Sequence, residues 1–172
     1  MSIIDSFVKD GKPAITVCDV YEKSDVLRAF IVTFSFRTID ALLDAGRIEL
    51  ISENSIRSIS CNYPVYRFIG TDIGFVKTTV GAPITSGILE EISYVYSCRK
   101  AVLFGTCGTL DRSIPKNMVI VSTHAYRDEG TSYYYMEPSD YIEMKHYRTM
   151  CEIFDSCELC YGTNLDNGRV LS

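Results

Sequence analysis

Two apolar stretches of the chain each end in small polar residues, a pattern that favours anion binding. Residues 73–80 lead into Gly81-Ala82-Pro83, and residues 101–104 lead into Gly105-Thr106-Cys107-Gly108-Thr109. Glycines let a ligand approach the backbone closely, and free N–H groups at the start of a helix attract negative charge. Each glycine pair taken alone is also typical of an ordinary tight turn. Together the two runs predict a crevice that binds an anion such as phosphate.

A strand–helix–strand unit is predicted to position these two runs. Residues 73–80 are apolar and β-branched, as in a strand, and residues 84–98 carry apolar side chains at helical spacing after Pro83. Residues 101–104 are uniformly apolar, which predicts a strand buried on both faces. A helix that joins two strands of one sheet favours a parallel pair with a right-handed connection. Ligands of such sheets bind beyond the carboxyl ends of the strands.

The remaining segments complete the prediction of a single α/β domain over residues 1–172. We expect a lead-in over residues 1–28, a core over residues 29–162 and a tail over residues 163–172. Further strands are expected at residues 29–34, 47–52, 62–70, 117–122 and 158–161, with a hairpin turn at Gly70-Thr71-Asp72. Helices are expected at residues 38–45, which Gly46 would end, and after Ser139, a good N-cap residue.

Charge and hydropathy exclude two classes of partner. The 172 residues carry a formal net charge of −5 and no cluster of lysines and arginines, so a nucleic-acid surface is not expected. No apolar run approaches membrane-spanning length, so no membrane partner is expected. Asp5, Lys9 and Asp10 interrupt any N-terminal signal segment, and we therefore expect a cytoplasmic protein.

The seven cysteines are an odd number in mostly apolar contexts, which fits reduced thiols that pack as small hydrophobic side chains. Cys157 and Cys160 form a C-x-x-C pair, but a metal site would need a second pair of ligands, and His124 and His146 lack the required spacing. Cys107 lies in the predicted crevice, either as a small residue that fits there or as a nucleophile, for which no nearby base is visible. We expect neither a metal nor an organic cofactor.

Four blocks of the sequence resemble, in order and spacing, the purine nucleoside and uridine phosphorylase family, in its uridine phosphorylase-like microbial branch. The blocks are Val80-Gly81-Ala82-Pro83, Leu89-Glu90-Glu91, Leu103-Phe104-Gly105-Thr106-Cys107-Gly108 and Arg127-Asp128-Glu129-Gly130-Thr131-Ser132. The resemblance implies a mixed, partly barrel-like central sheet flanked by helices. It also implies phosphorolysis of a purine or pyrimidine nucleoside to the free base and a pentose 1-phosphate.

The resemblance further implies which molecules the chain meets. Family members are pentosyltransferases that use inorganic phosphate as co-substrate and need no other cofactor. They assemble as trimers or as hexamers built from dimers, and their active sites borrow residues from a neighbouring subunit. For this chain the implied partners are therefore a nucleoside, phosphate and further copies of itself.

By the same resemblance, two sets of residues are candidates for binding. Phosphate would be bound by Gly81, Thr106, Arg57 and Arg37, and the nucleoside by Val80, Cys107 and Gly108. Arg37 keeps the family's interval to the end of the first strand, although the glycine and proline of the family's loop are absent; a surface helix charge is the alternative. Arg57 lies nine residues before Tyr66, where the family places an arginine that reaches a neighbour's phosphate. A solvated loop charge is the alternative.

Leu103 departs from the family, because phosphorylases usually carry an arginine at that position. A guanidinium matches the geometry of phosphate and a leucine does not. The family's nucleosidases also lack this arginine, so a nucleoside hydrolase is one alternative. The resemblance does not reach the family's C-terminal third, which holds its ribose-binding and acid residues, so no catalytic residue is assigned. A non-catalytic member that acts only in binding or assembly is the other alternative.

The last block allows two interpretations. Residues 127–132 have turn chemistry that predicts a loop bonded to itself, and a contact with substrate is the alternative. The following Tyr133-Tyr134-Tyr135 could line a base pocket or a subunit interface.

Overall fold

The computed structural model describes residues 10–57, 61–109 and 112–163. These residues form two compact units, of which the first is Asp10–Thr106 and the second includes the described residues from Cys107 onward. That both belong to one domain over residues 1–172 stays a prediction.

The first unit is built on a five-stranded mixed sheet in the order β2-β3-β4-β1-β5. Its strands are β1 Ala29–Thr33, β2 Ile48–Arg57, β3 Asn62–Phe68, β4 Ile73–Lys77 and β5 Ala101–Phe104. β1 is parallel to β4 and β5, whereas β3 is antiparallel to β2 and β4. The predicted α/β class with a mixed sheet is confirmed. The sheet has two edges, β2 and β5, among the described strands, so the partial barrel closure that the resemblance implied is not seen there.

Helices cover both faces of this sheet. They are α1 Val17–Val20, α2 Phe36–Asp44 and α3 Ala82–Val95. Ile88 and Ile92 of α3 pack in one core cluster with Val76 of β4. Ile39 of α2 packs in a second cluster with Phe75. Because Phe75 and Val76 are consecutive in a strand, their side chains point to opposite faces, and α2 and α3 therefore lie on opposite sides.

The turn residues behave as the sequence predicts. Gly46 has a φ of +60° at the end of α2, and its N–H donates to the Leu43 carbonyl at 2.9 Å. Gly70 has a φ of +75° in the turn between β3 and β4. Both backbone conformations are ones that glycine adopts without strain.

The burial of β5 is where the sequence-based expectation is wrong. The run was predicted to be buried on both faces, yet all of Ala101–Phe104 is exposed, with Leu103 at 48% and Phe104 at 53%. Among the strands that the structure describes, β5 is an edge strand that pairs with β1 alone. The core cluster under α3 draws residues from β1, β2, β3 and β4 but none from β5. An apolar run identified the strand correctly but did not determine its burial.

The second unit contains two short strand pairs and one helix. Its elements are β6 Val119–Val121, β7 His124–Tyr126, β8 Tyr141–Glu143, α4 Tyr147–Ser156, β9 Tyr161–Thr163 and a 3-10 turn at Ser132–Tyr134. β6 pairs in parallel with β9, and β7 pairs antiparallel with β8. β6 lies within the strand predicted at residues 117–122, although Val119 is 39% exposed.

The prediction of a helix that begins after Ser139 is wrong for the first residues of that segment. Residues after Ser139 form β8, which pairs with β7, and the rings of Tyr126 and Tyr141 pack with centroids 5.1 Å apart. The Ser139 hydroxyl donates to the Tyr141 carbonyl at 3.0 Å rather than capping a helix. The helix begins only at Tyr147, after the exposed His146. Pairing with a distant strand has overridden the local capping signal.

Candidate functional site

The carboxyl ends of β4, β1 and β5 lie side by side at one end of the first unit's sheet. Thr33, the last residue of β1, is in register with Lys77 on one side and with Phe104 on the other. The Thr78 N–H donates to the Thr33 carbonyl at 2.8 Å and extends the pairing by one residue. We name residues 33–37, 77–81 and 104–106 the strand-end crevice. It occupies the position at which open α/β sheets bind ligands.

Gly105 marks a close approach between two loops of the crevice. A Cβ atom at this position would lie 2.9 Å from Cδ2 of Phe34, which is closer than carbon atoms normally approach. Phe34 directly follows β1 and Gly105 directly follows β5. The absence of a side chain at residue 105 therefore lets the two strand ends stay in contact.

Gly81 forms the junction between β4 and α3. It has a φ of +131° and is the N-cap residue of α3, and its carbonyl accepts the Thr85 N–H at 3.1 Å. Pro83 takes the second helical position. The adjacent Val80 is 86% exposed. The first N–H groups of α3 have no partner within the helix, which makes this end electropositive.

Hydroxyl groups follow each of the three strands. Thr106 is exposed after β5. Thr33 is buried at the end of β1, and its Oγ1 accepts the Ser35 N–H at 3.3 Å. The Oγ1 of Thr79 is buried without a hydrogen-bond partner, which is uncommon for a buried polar group. Sequence analysis did not single out Thr79, although its place in the polar run after a strand was a usable signal.

The basic residues of the crevice come from α2 and β4. Arg37 is exposed in the first turn of α2. Lys77, the last residue of β4, holds its Nζ 3.5 Å from the centroid of the Phe36 ring. Sequence analysis did not propose Lys77, because a single charge within an apolar strand pattern looks like a strand residue at a solvated edge. Leu103 adds no charge to this end of the sheet.

Arg57 lies apart from the rest of the phosphate set. It is the last residue of β2, an edge strand on the other side of the sheet from β5. Four strand spacings of about 4.8 Å put these two edge strands roughly 19 Å apart. Its Cζ lies 5.8 Å from the centroid of the Tyr21 ring, and its N–H donates to the Tyr21 hydroxyl at 3.2 Å. Within one chain, the structure does not bring Arg57 to Thr106.

The proposed nucleoside residues are divided between the units. Val80 belongs to the first unit, whereas Cys107 and Gly108 are the first described residues of the second unit. Cys107 and Gly108 are both exposed. The structure places none of the seven cysteines in a disulfide. The described residues contain no group of three or more His, Cys, Asp or Glu side chains that could hold a metal ion.

A polar cluster under α3 links the lead-in segment to the sheet. The Tyr21 hydroxyl donates to the Arg57 carbonyl. Burial raises the pKa of the Glu91 carboxyl, a hydrogen bond with Tyr21 opposes that shift, and the charge of Glu90 adds to it. The Oε2 of Glu91 is buried and has no hydrogen-bond partner. The second block of the resemblance thus contains a carboxyl group whose pKa is raised by burial.

The last block of the resemblance folds into a loop that bonds to itself. The guanidinium of Arg127, only 5% exposed, donates to the Ser132 hydroxyl at 2.9 Å, the Glu137 carbonyl at 2.7 Å and the Ser139 hydroxyl at 3.1 Å. Ser132 in turn donates to the Glu129 carboxylate. The Arg127 Cζ lies 4.2 Å from the centroid of the Tyr133 ring. These contacts support the self-bonded interpretation of residues 127–132.

No helix among the described residues is both long and apolar enough to cross a bilayer.

The chain is similar to known proteins both in sequence and in fold. The chain is 27% identical over 139 residues to a guanosine phosphorylase from Halorubrum lacusprofundi; the match covers 80% of this chain and 55% of that protein. A uridine phosphorylase from Vibrio fischeri superposes with a TM-score of 0.66 at 20% identity, over 91% of this chain and 64% of the other. A futalosine hydrolase mutant from Helicobacter pylori superposes with a TM-score of 0.61 at 13% identity, over 82% and 67%.

The chain has the nucleoside phosphorylase fold. The similarity to a phosphorylase in sequence and to phosphorylases in structure supports the resemblance seen in the four blocks. No protein-family model matches the chain. The chain spans 55% of the length of its phosphorylase relative. In the nucleoside phosphorylase fold of this chain, the strand-end crevice is the candidate active site.

Proposed function

We propose that the protein is a pentosyltransferase that cleaves a purine or pyrimidine nucleoside with phosphate, releasing the free base and a pentose 1-phosphate. The observation that carries this proposal is the strand-end crevice, where glycines and hydroxyls follow three adjacent strand ends beside the start of α3. The sequence similarity to a guanosine phosphorylase supports it.

Phosphate is proposed to bind at Gly81 and Thr106. The first N–H groups of α3, which Gly81 caps, attract the anion, and the exposed Thr106 hydroxyl donates a hydrogen bond. Arg37 is proposed to add charge from the first turn of α2. Holding phosphate in line with the sugar raises the rate by positioning, and a positioned nucleophile gains a large effective concentration.

The nucleoside is proposed to contact Val80, Cys107 and Gly108. Val80 is 86% exposed and offers an apolar surface to a sugar or base. Cys107 is proposed to contact the nucleoside as a small exposed residue rather than as a nucleophile. The groups that protonate the leaving base and hold the ribose hydroxyls are unassigned.

Arg57 is proposed to serve the crevice of a neighbouring copy of the chain. Its distance from β5 within one chain supports this, because a side chain cannot span roughly 19 Å. The protein is therefore proposed to be a homo-oligomer, a trimer or a hexamer built from dimers. Cysteines outside any disulfide support a reducing, cytoplasmic location.

Hydrolysis of a nucleoside is the second candidate function. Leu103 favours it, because an exposed leucine stands where an arginine would grip the attacking phosphate. The similarity in fold to a futalosine hydrolase mutant is compatible with this candidate. Nucleoside binding would be kept, and water would replace phosphate as the attacking group.

One assay separates these functions. The purified chain is incubated with guanosine, inosine or uridine, with and without inorganic phosphate, and release of the free base is measured. Release that depends on phosphate supports phosphorolysis, and release without phosphate supports the hydrolase. Absence of release under both conditions, with a folded protein, supports a non-catalytic role in binding or assembly.

A further inference from the structure

Lys77 lies at the end of β4, on one side of the strand-end crevice, and contacts the start of α2. As the last residue of β4, it pairs with Thr33, which in turn pairs with Phe104. Residues in register on neighbouring strands point to the same face. Its Nζ lies 3.5 Å from the centroid of the Phe36 ring, at the first residue of α2. The ammonium group is therefore held over the crevice rather than extended into solvent.

The surroundings of Lys77 leave its charge uncompensated. The ion pairs among the described residues are Arg28 with Asp72 and Arg67 with Glu49, and neither involves Lys77. The contact with Phe36 orients the ammonium by a cation–π interaction but does not neutralise it. Phe104, the β5 residue that is in register with Thr33 on the same face, is apolar. A full positive charge beside hydroxyl groups, with no carboxylate paired to it, is a site for an anion.

We infer that Lys77 is a phosphate ligand of the strand-end crevice and supplies charge that β5 lacks. The inference rests on the proposed function and names a residue for its phosphate site. The Lys77 ammonium donates hydrogen bonds to a phosphate oxygen, while Phe36 keeps the side chain in place. No covalent step is involved, because the lysine orients the phosphate and offsets its negative charge.

The test is a calorimetric titration of the purified chain with inorganic phosphate. Lys77→Met removes the charge, and Lys77→Arg keeps it. The matched control is Lys23→Met, because Lys23 also lies over an aromatic ring, with Nζ 5.6 Å from the centroid of Tyr94, but far from the strand ends in sequence and on a different segment. Thermal melts check that each variant folds, and Lys77→Gln repeats the measurement should Lys77→Met fail to fold.

We expect Lys77→Met to weaken phosphate binding about tenfold or more, as is typical for loss of a charge-assisted hydrogen bond. Lys77→Arg should stay within a few-fold of the original chain, and Lys23→Met should be unchanged. In the phosphorolysis assay, Lys77→Met should raise the KM for phosphate more than it lowers kcat. Equal phosphate affinity in Lys77→Met and the original chain would overturn the inference and leave phosphorolysis standing. An original chain that binds no phosphate would overturn both.

Discussion

At the scale of single residues, the positive charge of the strand-end crevice comes from β4 and α2, and β5 contributes apolar surface. Lys77 and Arg37 are the basic residues of its three segments, whereas Leu103 presents an exposed methyl-bearing side chain. The positive charge at the strand ends therefore lies on β4 and α2, whereas the family resemblance implied an arginine on β5. Which residues hold the anion is a question of side-chain chemistry and is separable from the fold.

Glu91 gives a prediction for the dependence of stability on pH. Because burial raises the pKa of its carboxyl, the folded chain holds this proton more tightly than the unfolded chain. Below the ordinary value of 4.5 the group is protonated in both states and contributes nothing. As the pH rises past that value the unfolded chain ionises first, so the free energy of unfolding falls.

We therefore expect Glu91→Gln to melt at a higher temperature than the original chain at about pH 7 and at a similar temperature at about pH 4. Circular dichroism melts at both values measure the difference. Glu53→Gln, which alters an exposed carboxylate on β2, is the control and should show no such pattern. A lower melting temperature for Glu91→Gln at neutral pH would show that the ionised carboxylate is stabilised in the folded state.

At the scale of elements, the strands of the first unit's sheet differ in whether they contribute side chains to the cores under α2 and α3. The cluster under α3 joins β1, β2, β3 and β4, and these strands carry the fully buried side chains Phe30, Val32, Val65 and Val76. β5 pairs with β1 through its backbone but adds no residue to either core cluster. Its position is therefore held by hydrogen bonds, and its side chains stay free to form surface.

Gly74 gives the prediction at this scale. A Cβ atom at Gly74 in β4 would lie 2.5 Å from the ring of Phe30, which is fully buried in β1. We expect Gly74→Ala to lower the free energy of unfolding by about 1–3 kcal/mol, because an overpacked core must shift a ring or a strand. Chemical denaturation followed by circular dichroism measures the change.

Gly87→Ala is the matched control for this substitution. Gly87 lies inside α3, and an added Cβ would meet nothing within 4 Å. Alanine is a better helix former, so we expect this variant to be more stable by about 0.5–1 kcal/mol. Equal effects of the two substitutions would contradict the packing of Phe30 on Gly74.

At the scale of the whole molecule, the residues proposed for one site occupy distant parts of the sheet. Arg57 ends one edge strand, and Thr106 follows the strand at the other edge. Large apolar side chains are exposed around the crevice, among them Val80 at 86% and Phe36 at 67%. Both observations are explained if a second copy of the chain covers part of this surface.

We expect the purified chain to be larger than a monomer by light scattering at micromolar concentration. Mixing two variants gives a sharper test. Arg57→Met and Thr106→Val should each lose phosphate-dependent activity, and the mixture should recover part of it, because a mixed oligomer contains one site with both original residues. A monomeric mass, or no recovery on mixing in an active oligomer, would contradict a shared site.

Local sequence patterns were sufficient for the parts of this protein that depend on short-range physics. Glycines at residues 46 and 70 marked turns because few other residues adopt a positive φ there. The helical spacing after Pro83 predicted α3, and two polar runs after apolar strands predicted the crevice at the strand ends. The four blocks, read in order, identified the fold class.

Tertiary structure alone decided the features that depend on which distant residues meet. The exposure of β5 follows from its place at the sheet edge, which no composition of residues 101–104 reveals. The strand at Tyr141–Glu143 forms because β7 is available to pair with it, and this pairing outweighs a helix-capping serine. Lys77 is a candidate ligand because it pairs with Thr33 of β1 and because its ammonium lies over the ring of Phe36 in α2. Both contacts join residues that are distant in the sequence. In each case the structure depends on contacts between residues far apart in the chain, and a local sequence pattern carries no information about those contacts.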